Sequence, residues 1–268
     1  MTPRGIDGTS SSDSGALSPM WRVDAQTLNF CGVAAAEVPG EDGRVVLVAS
    51  GDDPGGIVVY EAEMASARCE LVRVMIPADN MGMCMAVRLV FAASVPLAVA
   101  GYESGALAVW DAAAGSLLAT TNAAPWFGDP VMALDVVSVD RSSEEWTLRG
   151  VAGSATAEAV AFRIDSSSGG EAAFELVKKR AVADAGEQGV SSVAIRAADG
   201  KLVALGGWEG SLSVHSAKKL KPLAVLEYHA QRVSALGFDA DPDGGGYLVS
   251  GSPDGRIAVW DLYPVAQS

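Results

Sequence analysis

Hydrophobic and polar residues alternate in short runs near the carboxyl end of the chain. The runs are Val233–Phe238, Tyr247–Gly251 and Ile257–Trp260. A loop rich in aspartate and glycine separates the first two runs, and a Pro-Asp-Gly sequence separates the last two. Period-two alternation interrupted by turn residues is typical of half-buried β-strands joined by hairpins. The pattern therefore predicts an antiparallel meander between residues 229 and 261.

Four polar side chains of this stretch are placed so that they can form hydrogen bonds with one another. The Trp260 indole N–H can donate a hydrogen bond to Ser250. Ser250 can in turn pair with His229, and His229 with Asp254. Buried donors and acceptors need partners, so we predict a structural, hydrogen-bonded tetrad. His, Ser, Asp and a Trp-Asp ending at these places resemble one WD40 repeat, which is a single blade of a β-propeller.

The same pattern occurs in four further copies upstream. In each copy, a small or apolar residue followed by glycine lies ten residues before an aromatic residue or a histidine. We call these two positions an anchor pair. The second positions of successive copies lie 45 to 53 residues apart in the sequence, close to the period of roughly 40–50 residues that propeller blades show. The repeat predicts an all-β WD40 β-propeller with five recognisable four-stranded blades. The anchor pairs are Ser50/Tyr60, Ala100/Trp110, Ala152/Phe162, Leu205/His215 and Ser250/Trp260.

We expect the propeller to occupy residues 20–264, between a disordered Ser/Gly/Asp-rich tail at 1–19 and a short tail at 265–268. Because Tyr263 and Pro264 end the fifth blade before a fourth strand, Met20–Gln26 is the candidate strand that completes it. The blades span about Leu28–Ile76, Met83–Thr121, Val131–Arg180, Val190–Glu227 and Val233–Leu262.

Loops on one side of the propeller are predicted to carry large aromatic side chains. Loops between second and third strands, and loops between blades, emerge on the same side, here called the top face. Tyr102 and Trp208 fall in the first kind of loop, and Trp126 and Phe127 fall in the second kind. Clustered exposed aromatics favour a protein-binding surface. The alternative is that these side chains fold down onto neighbouring blades and cap the channel.

The charge balance disfavours two classes of partner. The formal net charge is −14, whereas nucleic acids and anionic membranes require clustered lysine and arginine. The two small basic clusters, Lys178–Arg180 and Lys218–Lys221, are expected at strand edges or turns, where they are solvated. No apolar stretch reaches the roughly 18 residues that span a bilayer. We therefore expect no direct nucleic-acid binding and no membrane association.

Few residues offer catalytic or metal-binding chemistry. The chain has two histidines, His215 and His229, and both fall at repeat anchor positions, which favours structural roles. The acidic run Asp239–Gly244 begins like an EF-hand loop, but the twelfth position is Ser250 rather than glutamate. An acidic hairpin turn is the better interpretation. We expect no enzymatic activity, metal, cofactor or small-molecule substrate.

The three cysteines, Cys31, Cys69 and Cys84, are odd in number and form no CxxC motif. All three lie in apolar runs. This usage predicts buried thiols in a reducing compartment.

Several longer runs resemble one branch of the WD40 proteins. They are LNFCGV, MGMCMAVRL, LAVAGYESGALAVWDAAAG, DPVMALDVVSV, GGWEGSLSVHSAKKLKPLAVLEYHAQRVSALGF and GSPDGRIAVWDLYP. From about Leu28 to Pro264 the chain is similar to the guanine-nucleotide-binding-protein β-subunit-like protein 1 family, called ASTRA-associated protein 1 in fungi.

This resemblance implies a non-catalytic scaffold of the nucleus and cytoplasm. Its implied partners are the TTT co-chaperone, which matures phosphatidylinositol-3-kinase-related kinases, or subunits of the ASTRA assembly linked to chromatin remodelling. The alternative function is recognition of a peptide or histone tail through the top face, as a ligase or chromatin adaptor would do.

The resemblance also implies about two further repeats ahead of Leu28, where this chain has a low-complexity segment. Blades shaped for a ring of seven are not expected to close easily as five. We therefore expect an open arc, or a strained ring joined by Met20–Gln26. Either arrangement leaves apolar flanks on blades one and five, which favour self-association or chaperone binding.

Overall fold

The computed structural model describes residues 31–262 except 52, 54, 93, 123, 125, 140–144, 168–170, 183–188 and 240–245. Within these ranges the regular structure is β throughout, with nineteen strands in five antiparallel sheets. The strand expected at Met20–Gln26, both predicted tails and most of the acidic run lie outside the described residues. Among the residues described, no helix has the length and apolar character needed to cross a membrane.

Each sheet is a meander in which neighbouring strands follow one another in the chain. The first contains β1 (Ala34–Glu37), β2 (Arg44–Ser50), β3 (Ile57–Glu63) and β4 (Arg68–Met75). The second contains β5 (Cys84–Ala92), β6 (Val95–Tyr102), β7 (Leu107–Asp111) and β8 (Ser116–Thr120). The third contains β9 (Val131–Ser138), β10 (Thr147–Ser154), β11 (Glu158–Ser166) and β12 (Ala172–Ala181). The fourth contains β13 (Val190–Ile195), β14 (Leu202–Gly207), β15 (Leu212–Ser216) and β16 (Pro222–Leu226). The fifth contains β17 (Ala235–Phe238), β18 (Tyr247–Gly251) and β19 (Ile257–Asp261).

The hydrophobic pattern of each strand matches the number of its faces that are covered. β6 is apolar along nearly its whole length and is buried from Pro96 to Tyr102, because neighbouring sheets lie on both of its faces. β18 alternates instead: Leu248 and Ser250 are buried, whereas Tyr247 and Val249 are exposed. One face of the fifth sheet is therefore packed and the other is not.

The five sheets stack face to face in chain order. Their innermost strands β1, β5, β9, β13 and β17 contact one another in succession. Four apolar clusters fill the spaces between successive sheets, so the core is a series of interfaces. None of the clusters formed by the described residues joins the fifth sheet to the first. This is the all-β propeller arrangement predicted from the repeats.

A glycine at the end of the second strand lets the following sheet approach closely. A Cβ added at this glycine in the second, third or fourth sheet would lie under 3.0 Å from a valine at or just before the start of the next sheet. Real Cβ atoms essentially never show such a separation. We call this glycine, with the space that the valine fills, the glycine socket. The pairs are Gly101–Val131, Gly153–Val190 and Gly206–Val233, with 2.4, 2.5 and 2.6 Å between the added Cβ and the nearest valine carbon.

The first sheet departs from the predicted repeat by one residue. Ser50, not Gly51, occupies the place of Gly101, because it pairs with the first residue of β3 as Gly101 pairs with the first residue of β7. The N–H of Gly51 donates to the carbonyl of Gly56 at 2.9 Å, which closes a loop one residue longer than its equivalent in the second sheet. The first anchor predicted at Ser50 is therefore wrong by one residue, and its structural equivalent is Ala49.

Candidate functional site

Four side chains of the last repeat form one hydrogen-bonded chain. Trp260 Nε1 donates to Ser250 Oγ at 2.9 Å. Ser250 Oγ lies 2.8 Å from His229 Nε2, and His229 Nδ1 lies 3.4 Å from Asp254 Oδ2. Ser250 and His229 are buried. Their polar atoms cannot bond to water, and the hydrogen bonds within the chain replace those contacts. The chain ties β18, β19 and the segment before β17 together, which is a structural role.

Asp254 holds the outer end of this tetrad. Its carboxylate accepts hydrogen bonds from the N–H groups of Ala230 and Arg256, both at 2.9 Å. The bond from Ala230, followed by those from Arg256 and His229, keeps the pKa of Asp254 below its ordinary value. The ionised carboxylate is thus a fixed acceptor that orients the His229 ring.

His215 takes the corresponding tryptophan position in the fourth sheet. It is fully buried, with Nε2 2.8 Å from Ser213 Oγ and Nδ1 3.2 Å from the carbonyl oxygen of Leu220. These contacts match a structural role. Nowhere in the described residues do three or more His, Cys, Asp or Glu side chains gather as a metal site would require.

The exposure predicted for the four top-face aromatics is wrong for three of them, which pack onto neighbouring sheets as the alternative prediction stated. Tyr102 is buried between the first and second sheets, and Phe127 is buried between the second and third. Trp126 is half-buried and packs edge-on against Phe174, with ring centroids 5.7 Å apart. Large apolar side chains gain more by packing onto a neighbouring sheet than by facing water. Of the four, Trp208 alone is an exposed side chain, at 37%.

Trp208 borders an open depression on the top face between the fourth and fifth sheets. The depression has a volume of about 530 Å³. It combines an indole face, a proline ring and a guanidinium group, which can contact both apolar and acidic parts of a peptide. Its lining residues are Trp208, Ala230, Gln231, Arg232 and Pro253.

The second exposed surface is the side of the fifth sheet that faces away from the fourth. We call it the free face and define it by Tyr247, Val249, Ile257 and Val259. These side chains are 44%, 40%, 75% and 65% exposed, respectively. Val249 and Val259 are directly paired across β18 and β19. Four adjacent, exposed apolar side chains on one sheet form a contiguous patch, which is a feature of interaction surfaces.

The glycine socket of the fifth sheet lies on this free face. Gly251 pairs with the first residue of β19, as Gly101 pairs with the first residue of β7. Among the described residues, the only atom within 4 Å of a Cβ added at Gly251 is the Cβ of Ala235, at 3.8 Å, in the same sheet. No described valine therefore fills this socket, in contrast to the sockets of the second, third and fourth sheets.

The WD domain, G-beta repeat family matches residues 220–261. This segment contains β16 to β19 and all four side chains of the tetrad. The chain contains a WD40 repeat in this segment.

Known proteins similar to this chain include animal and fungal sequences. It is 28% identical over 219 residues to guanine nucleotide-binding protein subunit beta-like protein 1 of Mus musculus, which covers 82% of this chain and 60% of the mouse protein. It is 28% identical over 285 residues to ASTRA-associated protein 1 of Verticillium alfalfae, covering 90% of this chain and 66% of that protein. The ASTRA-associated protein 1 of Schizosaccharomyces pombe is 39% identical over 75 residues, or 28% of this chain and 19% of that protein. The chain thus spans somewhat under two thirds of the length of the mouse and Verticillium relatives.

A solved structure resembles the fold of this chain. It is the computationally designed Ika8 protein, with a TM-score of 0.51, 18% sequence identity, and coverage of 83% of this chain and 56% of that chain. At this identity the likeness concerns the fold alone.

One polar residue that links three sheets of this chain was not predicted. The Asp135 carboxylate, on β9, accepts hydrogen bonds from Arg88 Nε of β5 at 3.2 Å and from the Ile195 N–H of β13 at 2.7 Å. Burial raises the pKa of Asp135. A single carboxylate inside the apolar run VMALDVVS was the available sequence signal.

Replacing Asp135 with alanine is expected to lower the free energy of unfolding by about 1–3 kcal/mol, because the Ile195 N–H loses its acceptor. Asp135→Asn keeps an acceptor oxygen and removes a charge that burial disfavours, so its loss should be smaller. Chemical denaturation of both variants measures the difference. Equal losses for alanine and asparagine would show that the hydrogen bond to Ile195 is not the stabilising contact.

Proposed function

We propose that this protein is a non-catalytic scaffold of the nucleus and cytoplasm that binds other proteins. In this proposal it acts with the TTT co-chaperone in the maturation of phosphatidylinositol-3-kinase-related kinases, or with ASTRA subunits. The name of the fungal relatives, ASTRA-associated protein 1, supports the part of the proposal that concerns ASTRA subunits. The observation that carries it is the free face, with a glycine socket that no described residue fills.

The chain's own interfaces indicate what fits the free face. The glycine sockets of the second, third and fourth sheets each receive a valine that lies at the start of the next innermost strand or just before it. The complementary partner is therefore another β-sheet of the same type, whose inner strand presents a valine to Gly251. Such a partner would cover Val249 and Val259 as Val99 and Val109 of the second sheet are covered, both 0% exposed. We propose a sheet of this kind in a partner subunit as the occupant.

A second candidate function rests on the depression beside Trp208. An exposed indole next to Arg232 and Pro253 is suited to a peptide side chain, and aromatic and arginine residues dominate binding energy at many interfaces. The corresponding function is recognition of a peptide or histone tail through the top face. The two candidates use different sheets and faces, so separate variants can distinguish them.

Affinity purification followed by mass spectrometry tests the proposal. We expect the tagged wild-type chain to recover TTT or ASTRA subunits. The double variant Val249→Lys, Val259→Glu places two charges on the free face as a cross-strand pair that can neutralise itself. Its recovery of those subunits should fall about tenfold or more, because buried apolar anchors concentrate interface energy.

The matched control is Leu223→Lys, Val225→Glu, which changes two exposed apolar residues of β16 (51% and 50%) and should leave recovery unchanged. Trp208→Ala should leave it unchanged as well. Undiminished recovery of the subunits by the free-face variant would refute the role of this face. The second candidate would be favoured if Trp208→Ala no longer recovered histones or other peptides while the free-face variant still did.

A further inference from the structure

Two cysteines distant in sequence meet between the first and second sheets. Cys31 lies just before β1, and Cys84 is the first residue of β5. Their Sγ atoms are 3.8 Å apart. A disulfide requires about 2.05 Å between the sulfurs, so the two sulfur atoms would have to move roughly 1.8 Å closer for the bond to form. The third thiol, Cys69, is fully buried on β4.

The two thiols have unequal environments. The hydrogen bond with Cys84 lowers the pKa of Cys31, and the nearby Arg88 guanidinium lowers it further. The same hydrogen bond, together with burial, raises the pKa of Cys84. Cys31 is also only partly buried, whereas Cys84 is fully buried. Thiol exchange starts from an accessible thiolate, so Cys31 is suited to react first and Cys84 to resolve the product.

We propose that Cys31 and Cys84 form a redox-active pair that closes to a disulfide, with a small-molecule disulfide such as oxidised glutathione as the oxidant. The Cys31 thiolate attacks one sulfur of the oxidant, whose S–S bond breaks and releases one thiolate. Cys84 then loses its proton and attacks Cys31 Sγ, which forms the protein disulfide and expels the second thiolate. The two cysteines lose two electrons, the oxidant gains them, and the released thiolates take up the two protons.

The disulfide would tie the whole first sheet to the second. All four strands of the first sheet lie in the chain between Cys31 and Cys84, so the bond closes a loop around that sheet. A cross-link of this kind restricts the unfolded chain, and its typical stabilisation corresponds to a rise in Tm of about 5–10 °C for a protein of this size. The pair would thus make the stability of the first interface depend on the surrounding thiol–disulfide balance.

The experiment uses the full 268-residue chain equilibrated with mixtures of reduced and oxidised glutathione. Remaining thiols are alkylated after acid quenching and located by mass spectrometry. We expect three labelled cysteines under reducing conditions and, under oxidising conditions, label on Cys69 alone with a Cys31–Cys84 cross-linked peptide. Dithiothreitol should restore all three thiols, and the oxidised form should melt at the higher temperature.

Three single variants check the assignment of roles. Cys84→Ser should trap a glutathione mixed disulfide on Cys31, whereas Cys31→Ser should leave Cys84 unmodified in the folded protein. Cys69→Ser is the matched control and should oxidise as the wild type does. Three free thiols under oxidising conditions, a cross-link that involves Cys69, or a bond only between molecules would overturn the proposal.

Discussion

Valine at position 101 is expected to cost about 3 kcal/mol of unfolding free energy or more, whereas valine at position 251 should change it by less than about 0.5 kcal/mol. A Cβ at Gly101 would lie 2.4 Å from Val131, which fills that socket. Relief would require separating the second and third sheets. At Gly251 no described atom of another sheet lies within 4 Å. The two substitutions are chemically identical and differ only in whether the socket is filled.

Thermal and denaturant unfolding of the two variants measure this contrast. Val131→Ala in the Gly101→Val background should recover part of the loss, because it vacates the space that the new side chain needs. Equal destabilisation by Gly101→Val and Gly251→Val would contradict this explanation, because the filling of the socket would then not determine the loss of stability. Under the proposed function, Gly251→Val should also weaken partner binding while the fold is retained.

Loss of the tetrad is the second large effect. His229→Ala leaves buried Ser250 without its imidazole partner, and Trp260→Phe removes the donor to Ser250 at 2.9 Å. Each is expected to lower the free energy of unfolding by about 1–3 kcal/mol. Trp110→Phe is the matched control for the second variant, because Trp110 Nε1 is buried without a hydrogen-bond partner among the described residues. Its cost should therefore be smaller than that of Trp260→Phe.

The tetrad also predicts a pH dependence. The pKa of Asp254 is lowered in the folded protein, first by the hydrogen bond from the Ala230 N–H. Its stabilising contribution is therefore complete above the ordinary aspartate pKa of about 4 and is lost as the pH falls through the lower, folded-state pKa. Asp254→Asn should reduce the loss of stability in that acidic range.

Melting of His229→Ala within experimental error of the wild type would contradict the role of the tetrad.

Local spacing made much of the fold predictable from sequence. The tetrad lies within one repeat, and the ten-residue step from Ser250 to Trp260 corresponds to two paired strands and their turn. The same spacing failed in the first repeat, because the loop between β2 and β3 is one residue longer, so Ala49 rather than Ser50 takes the position of Ala100. Sequence spacing alone does not distinguish a loop residue from a strand residue.

Contacts between repeats were the part that the sequence did not reveal. Tyr102 and Phe127 fall in predicted loops, and their burial depends on how closely the neighbouring sheet approaches. Cys31 and Cys84 are separated by a complete sheet, so their proximity follows from the stacking of sheets. Asp135 likewise acquires its partners from the sheets on either side. Each of these features depends on how successive sheets stack on one another.

The outermost strands differ in how well they resist pairing with another molecule. β12 carries exposed Lys178 and Lys179, and β16 begins with Pro222; charged side chains and proline both discourage edge-to-edge association. β19, the outermost described strand of the fifth sheet, instead exposes Ile257 and Val259. Short apolar strands with unprotected edges are templates for cross-β growth. Among the edge strands that the structure describes, β19 is therefore the one most suited to start aggregation of concentrated protein, and Ile257→Lys would be the simplest change to improve solubility.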